Sequence, residues 1–192
     1  MSGNDELKVK GANFLSVMAA LKTLRGETAV TAVTNGMLTP GGEALRLGTL
    51  LASGWYPASW YRDLLDAIRG LPAGGDALVV AVSKEGIRRD VGGIYKLVFK
   101  LMSPQTLLTQ SSKALRMYYD RGECQILESR DGFVRASYRG FVGFNRVMWL
   151  DTRAASELLL ELSGAKGLHL RVVSGGGDGD AHMDVEASWM VR

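Results

Sequence analysis

Apolar residues fall at helical spacing through roughly the first 120 positions and at alternate positions through much of the remainder. Phe14, Val17, Met18 and Leu21 share one face of a helix predicted over Asn13–Leu24, with Gly26 close behind as a stop. Glu27–Asn35 predicts a second, short helix, although its Thr and Val content leans toward β-structure. Thr39–Gly42 predicts a turn or loop. Ala44–Ala52 has a length that suits either a strand or a short helix, and Gly54 ends it. Pro57 stands where a first helical residue belongs, since its missing N–H costs nothing there. Over Ala58–Arg69, Trp60, Tyr61, Leu64, Leu65 and Ile68 make one apolar face, while Arg62, Asp63, Asp66 and Arg69 point away. Asp76 predicts the cap of a long helical stretch from Ala77 to about Met102, broken near Gly92-Gly93. Ser103-Pro104 restarts a helix to about Tyr119, with Leu107, Leu108, Leu115 and Tyr118 or Tyr119 inward.

The last third changes period. Cys124–Glu128 and Phe133–Arg139 predict strands joined through Arg130-Asp131-Gly132, a hairpin signal because Gly takes the positive φ of the turn. Phe144–Ser163 predicts a helix stopped by Gly164. Leu168–Val173 and Met183–Val191 predict a second hairpin. With Leu168, Leu170 and Val172 facing Met183, Val185, Ala187 and Trp189, a turn near Gly177 sets Arg171 opposite Asp184 and His169 opposite Glu186. The fold class expected is α+β: a helical N-terminal half packed on a four-stranded antiparallel sheet, the C-terminal module being ββαββ. The chain reads as one domain, 1–192, with 1–120 mainly helical and 121–192 the ββαββ half.

Composition narrows the chemistry. With one cysteine and two histidines (Cys124, His169, His182), an intrachain disulfide, a four-ligand Cys/His zinc site and a thiolate-held iron–sulfur cluster are excluded. A carboxylate metal site or a haem with one axial ligand stays open. The balance of 23 Lys+Arg against 20 Asp+Glu is a small excess. Its densest spots, Lys8/Lys10 and Arg88/Arg89, form no stripe, so no nucleic-acid partner is expected. No apolar run approaches the ~18 residues of a membrane span. Met1–Asp5 lacks the apolar core of a secretory signal, and a lone cysteine suits a reducing compartment, so the expected location is the cytoplasm.

Ser174–Asp180 is rich in Gly and Asp. Such a loop can cradle phosphate or, through Asp178 and Asp180, a divalent ion. A strand follows it, however, where phosphate motifs place a helix, so it reads as a hairpin loop, with ion binding left open. His169 and His182 fall on polar strand faces without a second ligand at matching spacing, and no metal is expected. Cys124 has no basic neighbour in sequence to activate it. Neither a Gly-x-Ser-x-Gly elbow nor a His-Glu-x-x-His motif occurs, and an enzyme is not expected. Two segments combine aromatics with arginine, Trp55–Arg62 and Arg116–Gly122. Both core packing and a binding pocket account for them.

Four segments carry a resemblance: Lys10-Gly11-Ala12-Asn13-Phe14, Ser53-Gly54-Trp55-Tyr56-Pro57, Tyr118-Tyr119-Asp120-Arg121-Gly122 and Gly177-Asp178-Gly179-Asp180. They are similar to segments of a paralogous myxobacterial family of about this length, which implies a relative rather than an activity. The C-terminal half also resembles the 4-vinyl reductase domain and the haem NO-binding-like group. The shared order is Tyr-x-x-Gly (Tyr119–Gly122), a hairpin, a helix ending in Gly (Phe144–Gly164), a strand (Leu168–Val173), then Gly179-Asp180 before the last strand. That resemblance implies helices packed on a four-stranded antiparallel sheet and a sensory or small-molecule-binding role. A related fold occurs in vesicle-tethering TRAPP subunits, which act by pairing. The chain departs from these groups in two places. Ala181-His182 stands where the 4-vinyl reductase domain has a cysteine, and the Tyr-x-Ser-x-Arg motif and helical histidine of haem NO-binding domains are missing. No cofactor is therefore expected.

The expected function is a non-enzymatic cytoplasmic sensory domain that binds a small apolar or amphipathic ligand between helices and sheet. Phe14, Trp60, Tyr95, Tyr118 and Tyr119 are the expected lining, with Arg116 or Arg121 at a polar end. The alternative is a protein-interaction module that homodimerises through its helices, marked by an exposed apolar patch over Leu97–Leu108.

Overall fold

The structure, a computed structural model, describes residues 6–91 and 102–191. The expected break at Gly92-Gly93, Tyr95 and the first part of the Leu97–Leu108 region, residues 97–101, lie outside them. Gly11 begins the first long helix, α1 (Gly11–Gly36), directly after a short strand, β1 (Lys8–Lys10). Its amide donates to the Gly54 carbonyl at 2.9 Å. A Cβ at Gly11 would run into the Leu51 carbonyl, so the approach admits only glycine. β1 pairs antiparallel with β2 (Trp55–Pro57), a two-stranded sheet that the hydrophobic pattern did not announce because three residues carry no period. α1 is two helical segments joined at Gly26, whose φ of 79° no helical residue adopts. The segments match the two predicted helices.

Thr39–Gly42 is not a free loop. Pro40–Arg46 forms α2, with Pro40 in the first turn and Gly41 and Gly42 buried. A Cβ on Gly42 would lie 2.6 Å from the Thr34 carbonyl, so these glycines let α2 lie close against α1. Ala44–Ala52 splits between the end of α2 and a loop. α3 (Ala58–Arg69) buries Tyr61, Leu64, Leu65 and Ile68 as the pattern predicts, and Glu6 accepts from the Ser59 amide at its N-terminus. α4 (Gly75–Asp90) is preceded by Gly74 rather than capped by Asp76. Asp76 instead holds Arg146 in two bonds of 2.7 and 2.8 Å and Arg69 in a third of 2.9 Å. The helix expected from Ser103 to Tyr119 is interrupted at Gln110, giving α5 (Pro104–Thr109) and α6 (Ser111–Tyr118). Leu107 and Leu115 are half-buried, and the side chain of Leu108 is outside the described set.

The C-terminal half is ββαββ as predicted. β3 (Glu123–Arg130) and β4 (Phe133–Arg139) turn through Gly132 at φ 72°. α7 (Arg146–Leu162) follows, then β5 (Lys166–Gly175) and β6 (His182–Met190). The four strands form one antiparallel sheet, β3-β4-β6-β5. The fold is therefore α+β, with a helical first half.

The second hairpin keeps its expected faces but not its expected partners. Arg171 pairs with Glu186 and His169 with Ser188, two residues from the predicted register. The strands pair as far as Gly175 and Met183, which centres the turn near Gly179 rather than Gly177, and irregularities at Lys166/His169 and Val172/Ser174 absorb odd residues. The outer sheet face consequently carries an Arg135–Glu186–Arg171 row and an Arg139–Asp184–Ser174 row.

The Gly/Asp loop ties this sheet to α7. Asp178 accepts from the Arg146 amide at 2.8 Å, and Asp180 accepts from the Gly177 amide at 2.8 Å. The Trp149 indole donates to the Asp180 carbonyl. Both carboxylates thus satisfy backbone donors of the loop and of the α7 N-terminus. One core runs from Leu7 and Phe14 to Met183 and Val185, with Tyr119, Phe141, Phe144 and Trp149 packed ring to ring.

Candidate functional site

Where α1, α4, α6 and α7 converge on the sheet, the side chains do not fill the space. A cavity of about 110 Å³ is bordered by Asn13, Ser16 and Val17 of α1, Tyr61 of α3 and Ser83, Gly86, Ile87 and Asp90 of α4. Leu115 and Tyr118 of α6, Tyr119, Tyr138 of β4 and Asp151, Thr152 and Ala155 of α7 complete it. A second cavity of about 160 Å³ lies between α5, α7 and the inner sheet face. Its walls are Leu107, Val134, Ala136, Leu160, Leu170, Val185 and Ala187. Ala114, Tyr138, Ser156 and Leu159 border both, so the two spaces are neighbours.

The first cavity has a polar floor and a polar mouth. At the floor, Asp151 is buried, accepting from the Tyr61 hydroxyl at 3.1 Å and sharing a short contact with the Ser83 hydroxyl. Burial pushes the Asp151 carboxyl up to about 6, opposed by those two hydrogen bonds. Ser83 has one proton and also faces the Val79 carbonyl at 2.8 Å. At neutral pH Asp151 is a carboxylate that accepts from Ser83, and below about pH 6 a protonated Asp151 donates to Ser83 instead and satisfies both contacts at once. At the mouth, Asp90 keeps solvent contact and accepts from Ser16 at 2.9 Å and from Tyr118. Partial burial raises its carboxyl as well. The phenols are raised in turn: Tyr118 to about 12 by burial and then by the Asp90 charge, Tyr61 well upward by burial and then by Asp151. Burial likewise raises Tyr119 and Tyr138.

The expected lining residues separate. Tyr118 and Tyr119 border the cavity. Phe14 is fully buried, edge-on to Tyr61 at 5.1 Å, behind the wall rather than in it. Trp60 stacks on Tyr56 at 5.6 Å, away from either cavity. Arg116 and Arg121 border a different space, a surface cleft of about 450 Å³ shared with Asp120, Glu123 and Arg139. There Arg121 pairs with Asp120 and Arg139 with Asp184. Tyr95 is outside the described residues.

Asp90, Asp151, Ser16, Ser83 and Tyr138 went unread in the sequence. Asp151 carried a signal: it follows Val147-Met148-Trp149-Leu150 and sits three residues after Met148, on the buried face of α7. An acid at a core-facing helical position needs partners, and Tyr61 and Ser83 are those partners. The others announce nothing, because their roles depend on which helices meet.

No family model and no curated protein matches the chain. Solved structures do. The Fe(II) unliganded H-NOX protein from K. algicida superposes with a TM-score of 0.71 at 12% identity, over 95% of this chain and 97% of that one. An oxygen-binding H-NOX domain related to soluble guanylate cyclases, in its oxygen complex, gives 0.67 at 11%, over 95% of each chain. An H-NOX protein from S. oneidensis in the Fe(II)NO state gives 0.69 at 9%, over 95% and 99%. The chain has the fold of H-NOX domains, the haem NO-binding-like arm of the sequence resemblance.

The residues present do not fit a haem in these cavities. An axial ligand is commonly His, Cys, Met or Tyr. The chain's two histidines lie on β5 and β6, His169 exposed and His182 beside Gly175. Its one cysteine, Cys124, is buried on β3 and borders neither cavity. The phenols of Tyr61 and Tyr118 are already engaged by Asp151 and Asp90, and Met102 borders the second cavity without a histidine to complete a Met/His pair. No Lys or Arg is among the described residues bordering either cavity, and two aspartates would repel haem carboxylates. The two volumes together remain below the ~300 Å³ at which drug-sized pockets begin.

Proposed function

We propose that this chain is a non-enzymatic, cytoplasmic sensory domain that binds a small amphipathic molecule, and not a haem, in the cavity between its helices and its sheet. The observation that supports it most is the cavity itself: an apolar space with a few convergent polar groups, walled by five helices and β4. The fold adds support, since one neighbour of the same fold is described as oxygen-binding and another as being in an Fe(II)NO ligation state. A binding role rather than catalysis fits a site whose carboxyls and phenols are bonded to one another, with no histidine or thiol among the described residues lining it.

Native mass spectrometry and the absorption spectrum of the purified protein test this reading. A retained small molecule without a Soret band is expected. A Soret band from stoichiometric haem would overturn the haem-free reading. A protein that retains nothing, and whose melting temperature does not move with hexan-1-ol, overturns the pocket altogether.

Self-association through helices is a second reading. Leu38 and Leu47, 94% and 67% exposed, flank α2 and support it. Light scattering coupled to size exclusion decides it, a dimer being the expected result.

A further inference from the structure

Both cavities are apolar over most of their walls, yet the ionisable groups among the described residues bordering the first are all carboxyls and phenols. Asp90 stands at its mouth and Asp151 at its floor, on α4 and α7, with the phenols of Tyr61, Tyr118 and Tyr119 between them. No Lys, Arg or His is among the described residues that border it. Arg89 is next to Asp90 in sequence, but its guanidinium donates to Thr23 on α1 and borders neither cavity. The second cavity supplies no charge either. It continues beyond Ala114, Tyr138, Ser156 and Leu159 as a space walled mainly by Leu, Val and Ala, with Met102 and Gln110 at its border.

We propose that the ligand is a small aliphatic or aromatic amine, its ammonium group drawn by the Asp90 and Asp151 carboxylates that border the first cavity and its apolar part in the second. This rests on the pocket reading above and names the chemistry of its occupant. Three physical arguments favour a cation. Two carboxylates in a space without basic groups attract an ammonium and repel a carboxylate or phosphate. The tyrosine rings offer faces on which a cation is stabilised. Burial disfavours both carboxylate charges, and a counter-charge entering the cavity offsets that cost. A neutral alcohol gains the apolar contacts of the second cavity and hydrogen bonds in the first, but no charge-assisted bond.

Isothermal titration calorimetry at pH 7.5 with hexylamine, hexan-1-ol and hexanoate tests the assignment. Hexylamine should bind about ten-fold or more tighter than hexan-1-ol, the margin of one charge-assisted hydrogen bond. Hexanoate should be the weakest. In Asp90→Asn, and in Asp151→Asn, the amine's advantage over the alcohol should shrink, with alcohol binding kept. Circular dichroism establishes that each variant is folded. Asp90 is exposed, so its variant keeps the test intact if Asp151→Asn fails to fold. Equal binding of alcohol and amine overturns the amine and leaves the pocket standing. Preference for hexanoate, or an amine preference that survives both substitutions, also overturns it. Binding of none of the three overturns the pocket with it.

Discussion

Asp151 is buried among α3, α4 and α7, and its protonation is coupled to folding. Its carboxyl is near 6 in the folded chain, against about 4 when unfolded. The folded state therefore holds that proton more tightly. This group's stabilisation is complete below about pH 4 and is lost as pH rises through 6. Asn presents the same shape, with one acceptor for Tyr61 and one donor for Ser83, and never ionises. Asp151→Asn should accordingly be the more stable form at pH 7.5, by on the order of 3 kcal/mol, and the gap should narrow to about 1 kcal/mol by pH 4.5. Urea denaturation at the two pH values measures it, and a gap that does not change with pH would sink the argument. Gly11 is the other residue whose role is purely local. Gly11→Ala sets a methyl group against the Leu51 carbonyl, which is backbone and cannot swing aside. A loss of about 2 kcal/mol or more is expected in the same assay.

At the scale of elements, the break in α1 depends on backbone geometry alone. Gly26 has φ 79° and ψ 179°, and nothing lies within 4 Å of where its Cβ would be. Gly26→Ala should still cost roughly 1–3 kcal/mol, since that region is essentially closed to other residues. An unchanged denaturation midpoint would show that the break is dispensable. The N-terminus of α7 is held by side chains instead: Asn145 accepts from the Met148 amide at 3.0 Å and Asp178 from the Arg146 amide. Asn145→Ala should lose about 1 kcal/mol. Helices with a strong apolar face, the Asp131-Gly132 hairpin and the ββαββ order were legible because period and turn chemistry are local. β1 and α2 were not. β1 has too few residues for a pattern, and α2 hid behind Pro-Gly-Gly, whose glycines serve close packing on α1 rather than a turn.

For the whole molecule, the cavities exist because the helical half and the sheet do not close completely on one another. Ala114 of α6 borders both spaces. Ala114→Leu should fill their junction and abolish the melting-temperature shift produced by hexan-1-ol, while the circular dichroism spectrum is unchanged. A retained shift would place the ligand elsewhere. Expression with added haem should yield protein without a stoichiometric Soret band, since both histidines lie outside the cavities.

Taken by itself, the sequence determined the α+β class, the four strands and most helices, because hydrophobic period and glycine position act over a few residues. It also limited the metal chemistry, because two histidines and one cysteine are a count and need no structure. The register of the last hairpin was beyond it, since strand irregularities and turn length set partners that alternation alone leaves two residues uncertain. The site was beyond it as well. Of the aromatic and arginine residues that stood out, Phe14 and Trp60 went to packing, while Arg116 and Arg121 border a surface cleft. Two aspartates from different helices, unremarkable in a chain of 20 acids, define the cavity instead. Only tertiary packing decides that, because removing a carboxyl from water and from any counter-charge is an effect of what surrounds it.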